Sequence, residues 1–142
     1  MFVKEAMNPK VVVTKPGVTV KEASQIMSKF RIGSLVILKE EKIVGIITES
    51  DIIRKVVALG LTPSETNIED IMTKNVVTID GEKTIEDACS LMVENHIKRL
   101  PVMEKENIIG IITTTDLISV QPKMMEALGK LMLFAEKKAV AG

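Results

Sequence analysis

Short apolar runs, separated by charged and turn-forming residues, recur along this chain. Leu35–Leu38 and Ile43–Ile47 are apolar without alternation and are joined by four charged residues, which predicts a hairpin of two strands with both faces buried. Apolar residues spaced three and four apart in Val20–Phe30 predict an amphipathic helix. Thr19 and Glu22 stand at its start with the spacing of a capping box. The pattern therefore predicts a small unit of mixed strands and helices.

The same pattern occurs twice, displaced by 65 residues without a gap. Residues 43–53 and 108–118 are identical at seven of eleven positions, which is typical of an internal repeat. Each copy predicts the order β-α-β-β-α, and in the first copy a second helix runs from near Ser50 to Gly60. The capping box of the second copy is Thr84 with Asp87, and we expect the shorter aspartate to reach back less well than Glu22.

The repeat divides the chain into four segments: residues 3–60 (first repeat), 61–67 (linker), 68–120 (second repeat) and 121–142 (C-terminal amphipathic helix). The fold class is α+β, with an α/β-like alternation. One unit of this size buries too little surface to be stable alone, so we expect the two to pack sheet to sheet about a pseudo-two-fold axis. The last segment carries an apolar stripe that could cover its own module, a partner chain or a symmetry mate: Met124, Met125, Leu128, Leu131, Met132 and Ala135.

Charge and residue types narrow the chemistry. Nineteen Lys and Arg balance nineteen Asp and Glu, which disfavours nucleic acid and anionic membranes as partners. A single cysteine, Cys89, and a single histidine, His96, leave no internal disulfide and no Cys- or His-rich metal site. The sequence carries no Gly-rich phosphate loop, and no apolar run is long enough to span a bilayer. We expect a cytoplasmic protein that is not an enzyme, with no catalytic residues, no metal site and no catalytic cofactor.

Several motifs follow one another in a fixed order. They are Met7-Asn8-Pro9 and Met72-Thr73-Lys74, the helices around Ala23 and Ala88, Leu100-Pro101-Val102, and two Gly-Ile-Ile-Thr-x-x-Asp segments. Together they resemble the cystathionine-β-synthase (CBS) domain, here as the tandem pair called a Bateman module. The resemblance implies a regulatory sensor that binds AMP, ADP, ATP or S-adenosylmethionine in two clefts between the repeats. It also implies that the Asp of each Thr-x-x-Asp holds the ribose and that residues before the middle strand meet the phosphates.

The resemblance assigns a phosphorylated nucleotide to a cleft around Asp116. A carboxylate can accept two hydrogen bonds from a ribose diol, and an Arg offers a planar donor fork to phosphate. Two structural alternatives stay open: Thr113 and Asp116 form only a helix cap, and Lys98 and Arg99 are only solvated charges. The candidate residues of this site are Lys10, Val11, Ile32, Gly33, Lys98, Arg99, Ile111, Thr113 and Asp116.

The equivalent cleft around Asp51 differs in charge, because Gly33 and Ser34 stand where the second repeat has Lys98 and Arg99. We expect weaker nucleotide binding there, an uncharged adenosine derivative, or an empty site. Its candidate residues are Ser34, Ile46, Thr48, Asp51, Asn75, Val76 and Ile97.

The sequence leaves several functions open. The preferred function is an adenosine-nucleotide sensor that forms a homodimer. The alternatives are a protein-interaction or dimerisation module without a physiological nucleotide, whose partner the sequence does not name, and a binder of S-adenosylmethionine or nucleic acid.

Overall fold

The computed structural model describes the backbone of residues 1–138 and the side chains through residue 131. Residues 139–142 of the predicted C-terminal segment, and the side chains of Met132 and Ala135 in its stripe, lie outside the described part. The helices and strands, in chain order, are α1 (Val3–Ala6), β1 (Val13–Thr14), α2 (Val20–Phe30), β2 (Ser34–Lys39), β3 (Lys42–Thr48), α3 (Glu49–Ile52), β4 (Ile79–Asp80), α4 (Ile85–Asn95), β5 (Arg99–Glu104), β6 (Asn107–Thr113), α5 (Thr114–Val120) and α6 (Met125–Lys138).

The chain forms two compact units that exchange their leading segments. The continuous unit is Val12–Val76, and the discontinuous unit joins Met1–Val11 to the chain from Val77 onward. Each unit has a three-stranded sheet, in the order β1-β2-β3 or β4-β5-β6. In each sheet the first pairing is parallel and the second antiparallel. The predicted α+β class is therefore confirmed.

Each unit has its own aliphatic core. In the continuous unit the interior lies between α2 and the sheet and includes Val20, Leu35 and Ile47, which are fully buried. In the discontinuous unit Ile85, Leu100 and Ile112 take the corresponding interior positions and are buried. The two predicted strands of the first hairpin are confirmed to within one residue at each end, because uninterrupted apolar runs need burial on both faces of a sheet.

The capping boxes confirm one prediction and correct another. Thr19 Oγ1 accepts a hydrogen bond from Glu22 N at 3.1 Å, as the spacing predicted. The expectation that Asp87 reaches back less well is wrong, since Asp87 Oδ2 accepts from Thr84 N at 3.1 Å while Glu22 Oε1 stands 3.5 Å from Thr19 N. The shorter aspartate side chain is therefore long enough to reach the backbone N–H of the N-cap residue.

The second helix of the continuous unit departs from regular α geometry. After α3 the chain continues as a π-helix over Ile53–Val57, and Gly60 then turns it with a φ of 72°. The corresponding α5 is a regular α-helix. Two 3₁₀ turns follow, Pro63–Glu65 and Ile68–Asp70. They hold the predicted linker against α2, where the carbonyl of the buried Thr66 accepts a hydrogen bond from Val20 N at 2.8 Å.

The C-terminal helix packs on the discontinuous unit. Met124, in the 3₁₀ turn Pro122–Met124 before α6, and Leu128 are buried with the α4 and α5 residues Met92 and Leu117. Of the alternatives that the stripe left open, its own module is therefore the surface that its described part covers. None of the described helices has the length and hydropathy needed to cross a membrane.

Candidate functional site

The junction of β6 and α5 holds the first candidate carboxylate. Asp116 Oδ2 accepts hydrogen bonds from Thr113 N at 2.9 Å and from Thr113 Oγ1 at 3.0 Å, and Asp116 N donates to Thr113 Oγ1 at 3.3 Å. Thr113 is thus the N-cap of α5, which confirms the helix cap as a structural role of this pair. The half-buried carboxylate is fixed at a helix N-terminus, where the helix dipole favours negative charge.

Basic residues lie at the same end of the sheet. Arg99 begins β5 directly opposite Thr113 and is half-buried, while Lys98 is exposed. The Lys98 carbonyl accepts a hydrogen bond from Thr114 N at 2.9 Å, which ties the start of β5 to the start of α5. The exposure of Lys98 agrees with a solvated charge, whereas Arg99 is partly shielded from solvent.

The leading segment of the chain runs along β6. Asn8 N donates to Ile111 O at 2.8 Å and Ile111 N donates to Asn8 O at 3.0 Å. Asn8 Oδ1 also accepts from Lys10 N at 2.9 Å, which turns the chain toward Val11. Lys10 and Val11 therefore belong to the same unit as Ile111, Arg99 and Asp116.

Gly110 permits this close approach, a role that the sequence pattern alone did not suggest. A Cβ at this position would collide with the Met7 side chain and stand 2.9 Å from Asn8 O. The repeat did contain a signal for this role, because Gly45 packs against Met72 as Gly110 packs against Met7. A Cβ on Gly45 would stand 3.1 Å from Thr73 O. The paired Met and Gly positions mark where each leading segment crosses a strand.

The continuous unit repeats the capped carboxylate. Asp51 Oδ2 accepts from Thr48 N at 3.0 Å, and Asp51 N donates to Thr48 Oγ1 at 3.1 Å. Ser34 lies opposite Thr48 in the β2–β3 ladder. Ile46 exchanges two backbone hydrogen bonds with Thr73, at 3.0 and 2.9 Å. The chain after Thr73 carries the exposed Asn75 and the half-buried Val76, so six of the seven candidates for this site lie in one unit.

A lysine that was not among the sequence candidates reaches the Asp51 carboxylate. Lys55 Nζ lies 3.2 Å from Asp51 Oδ1 and donates a hydrogen bond to Ile71 O at 2.8 Å. Displacement by 65 residues places Val120 at the corresponding position. The two candidate carboxylates therefore have different surroundings.

The structure assigns the remaining candidates to the opposite units. Ile32 and Gly33, predicted for the Asp116 site, belong to the continuous unit, and Ile97, predicted for the Asp51 site, belongs to the discontinuous unit. Among the side chains that the structure describes, through residue 131, no group of His, Cys, Asp and Glu is arranged to hold a metal ion. Burial raises the pKa of the Cys89 thiol, which disfavours the reactive thiolate.

A separate groove of about 530 Å³ opens on the helical side of the continuous unit. Its apolar lining comes from Met27, Ile32, Ile52 and Ile53, and Ile53 is 60% exposed. Arg31 and Glu49 add one charge of each sign. This surface is the counterpart of the one that α6 covers in the discontinuous unit.

Comparison with known proteins agrees with the repeat. The family model of the CBS domain matches residues 3–58 and again residues 68–123. An uncharacterized protein of Methanopyrus kandleri, MK0525, is 36% identical over 125 residues, which cover 87% of this chain and 64% of that protein. The chain thus spans less than two thirds of that relative.

Solved structures show the same fold. The CBS domain pair of protein MJ0100, in complex with 5′-methylthioadenosine and S-adenosylmethionine, superposes with a TM-score of 0.78 at 29% identity, covering 87% of this chain and 97% of that one. A hexameric CBS-CP12 protein from bloom-forming cyanobacteria superposes with a TM-score of 0.78 at 29% identity, covering 89% of this chain and 74% of that one.

Proposed function

The chain belongs to the CBS-domain family as a tandem pair, and from that premise we propose that it is a regulatory sensor that binds adenosine nucleotides, AMP, ADP or ATP, at the Asp116 and Asp51 sites. The observation that carries the proposal is the grouping in the discontinuous unit. A half-buried Arg99 lies opposite Thr113, whose cap fixes the Asp116 carboxylate. A ribose acceptor and a phosphate donor therefore flank the same strand end.

The charge distribution favours a phosphorylated ligand at the Asp116 site. Lys98, Arg99 and Lys10 all belong to the unit that contains Asp116, and a guanidinium binds phosphate oxygens through two parallel hydrogen bonds. Backbone and Ile111 supply the surface for the base, since the described chain offers no Tyr or Trp for stacking. The complex of MJ0100 with two adenosine compounds supports adenosine as the common part of the ligand.

Titration calorimetry with AMP, ADP, ATP, adenosine and S-adenosylmethionine tests the proposal. We expect saturable binding of at least one nucleotide, and Arg99→Ala should weaken the phosphorylated ligands by about 10- to 100-fold, because a hydrogen bond to a charged group contributes about 1.5–3 kcal/mol. The affinity for adenosine should change much less. Asp116→Asn, which keeps an acceptor for the Thr113 cap, should weaken all ribose-containing ligands.

Lys105→Ala is the matched control. Lys105 is an exposed lysine of the same unit, in the β5–β6 turn at the end of the strands away from Thr113, so its loss should leave nucleotide affinity unchanged. If no compound binds the wild-type chain, the nucleotide proposal is wrong and the protein-interaction or dimerisation module takes its place. Equal losses for Arg99→Ala and Lys105→Ala would reject the assigned phosphate position.

We also propose that the chain forms a homodimer through the groove of the continuous unit. In the discontinuous unit Met92 and Leu117, the equivalents of Met27 and Ile52 in the groove, are buried in one cluster with Leu128 of α6, which supports the groove as a surface for a helical face. A two-fold interface must be self-complementary, and the groove carries Arg31 and Glu49 beside an apolar floor. In a two-fold dimer, Arg31 of one copy can therefore face Glu49 of the other. The hexameric CBS-CP12 protein supports self-association in this family.

A further inference from the structure

Lys55 makes two polar contacts that link distant parts of the continuous unit. Its ammonium lies 3.2 Å from Asp51 Oδ1 and donates to Ile71 O at 2.8 Å. The Asp51 side chain is only 15% exposed, and that of Lys55 is 44% exposed. An ion pair with one largely buried partner is less screened by solvent than a surface pair.

The contact between Lys55 and Asp51 uses Oδ1, a carboxylate oxygen that a ribose hydroxyl would need. Asp51 Oδ2 already accepts a hydrogen bond from Thr48 N at 3.0 Å. A carboxylate holds a diol by accepting hydroxyl hydrogens on its oxygens, so the Lys55 ammonium occupies the donor position at Oδ1. A ribose hydroxyl must share that oxygen with Lys55 or displace it.

The second contact ties the lysine to the segment that carries two further candidates of the Asp51 site. Ile71 is buried and immediately precedes Met72 and Thr73, and Thr73 is paired with Ile46. Asn75 and Val76 follow along the same segment. Lys55 therefore connects the Asp51 carboxylate to the residue at the start of this segment.

The local helix differs from its counterpart where the lysine stands. Lys55 lies within the π-helix Ile53–Val57. Such turns are rare in proteins, and those that occur are often found at functional sites. At the matching position of the regular helix α5 stands Val120, whose side chain has no charge. The ammonium is thus a feature of the Asp51 site alone among the two repeats.

We propose that Lys55 is an internal competitor for the ribose diol at Asp51, which adds to the loss of the basic pair in weakening this site. The inference depends on the proposed function, because it takes Asp51 as a ribose-binding carboxylate. Any nucleoside, charged or uncharged, meets the same competition, since the contested group is the diol and not the phosphate.

The test uses adenosine as the probe and titration calorimetry on the full chain. In an Asp116→Asn background, which weakens the other site, Lys55→Val should raise adenosine affinity at the Asp51 site by about three- to tenfold, the effect of one partly exposed charge-assisted hydrogen bond. Lys55→Arg is the matched control, because it keeps a cation at the same place and should give no gain. Thermal melting by circular dichroism checks that each variant is folded.

The reciprocal change covers the case in which Lys55→Val unfolds. In an Asp51→Asn background, Val120→Lys places an amine four residues after Asp116, the spacing of a helical ion pair, and should lower adenosine affinity by a similar factor. An unchanged or lower affinity of folded Lys55→Val, or an unchanged affinity of Val120→Lys, overturns the competition. If wild type still binds through Asp116 in that case, the proposed function stands; if adenosine and every nucleotide fail to bind wild type, both proposals are rejected.

Discussion

The two units share one framework and differ in what covers their helices. In the discontinuous unit α6 packs on α4 and the turn Pro122–Met124 before it packs on α5, where Leu117 is fully buried and Ile118 is partly buried. In the continuous unit the equivalent Ile52 is half-buried and Ile53 is 60% exposed. Duplication has preserved the strands, the caps and the glycines that the fold requires. The outer face of the helices, which the sheet does not constrain, is where the repeats have diverged.

The two carboxylate sites likewise keep a common local geometry and differ in the residues around it. Both keep the Thr-x-x-Asp cap with nearly equal hydrogen-bond lengths. Around the cap, Arg99 replaces Ser34 and Val120 replaces Lys55. One repeat thus carries a cation opposite its capping threonine, and the other places a cation against its capped carboxylate. Under the proposed function, these single side chains are the ones that should give two sites of one geometry different affinities.

The largest effect should come from removing the cover of the discontinuous unit. Leu128→Ala deletes a fully buried side chain of α6 and should lower the free energy of unfolding by about 2–5 kcal/mol, measured by urea denaturation. Met125→Ala is the control on the same helix, since Met125 is 51% exposed, and it should change stability by less than about 0.5 kcal/mol. Similar losses for the two variants would show that α6 does not pack on this unit in solution.

A smaller effect is expected on the open face of the continuous unit. Ile53→Glu should weaken the homodimer about tenfold or more, because it places a charge in the apolar centre of the interface, and sedimentation velocity measures the change. Val93→Glu, on α4 of the other unit, is the matched control.

A charge exchange sharpens the same measurement. Arg31→Glu should weaken the dimer, and combining it with Glu49→Arg should restore association if the two residues face each other across the interface. A chain that is monomeric at every concentration, or a Val93→Glu effect as large as that of Ile53→Glu, would falsify the dimer surface and direct attention to a helix from another protein.

The smallest effect is expected at the capping box of α4. Hydrogen bonds from Thr84, first from its backbone N–H and then from its side chain, lower the pKa of Asp87 below the ordinary value of 3.8. The carboxylate cap therefore stabilises the protein above pH 3.8 and loses that contribution as the pH falls through the lower pKa of the folded state. Asp87→Asn should lower the Tm slightly at pH 7, and the difference from wild type should vanish in acid.

The neighbouring Glu86→Gln serves as the control for that series, because Glu86 lies outside the box. Scanning calorimetry between pH 2 and pH 7, a range of about five units around the shifted pKa, follows both variants against wild type. A Tm difference for Asp87→Asn that does not depend on pH would contradict a role for the charge in the cap.

Much of the fold could be predicted because its signals are local. The apolar runs of β2 and β3 and the Thr19–Glu22 spacing depend on residues within a few positions of one another. The exchange of leading segments could not be predicted in this way. Both Gly45 and Gly110 offer the same gap beside a strand, so nothing local tells Met7 which of the two sheets it joins.

The candidate sites were also predictable only where the signal is local in sequence. Duplication pointed to Asp51 and Asp116, and the structure places most of the predicted partners of each in its own unit. Lys55 was missed even though its spacing from Asp51 is that of a helical ion pair. Its second partner, Ile71 O, lies 16 residues away, and only the folded chain brings that carbonyl to the ammonium.

The discontinuous unit also imposes an order on synthesis. The continuous unit is complete once residue 76 has been made, whereas Met1–Val11 must wait for β6, whose last residue is Thr113. At about 5–20 residues per second on the ribosome, the roughly 100 residues between them take about 5 to 20 s. During that time Val3 and Met7 have no sheet to join, so this segment is made before the continuous unit but completes its packing after it.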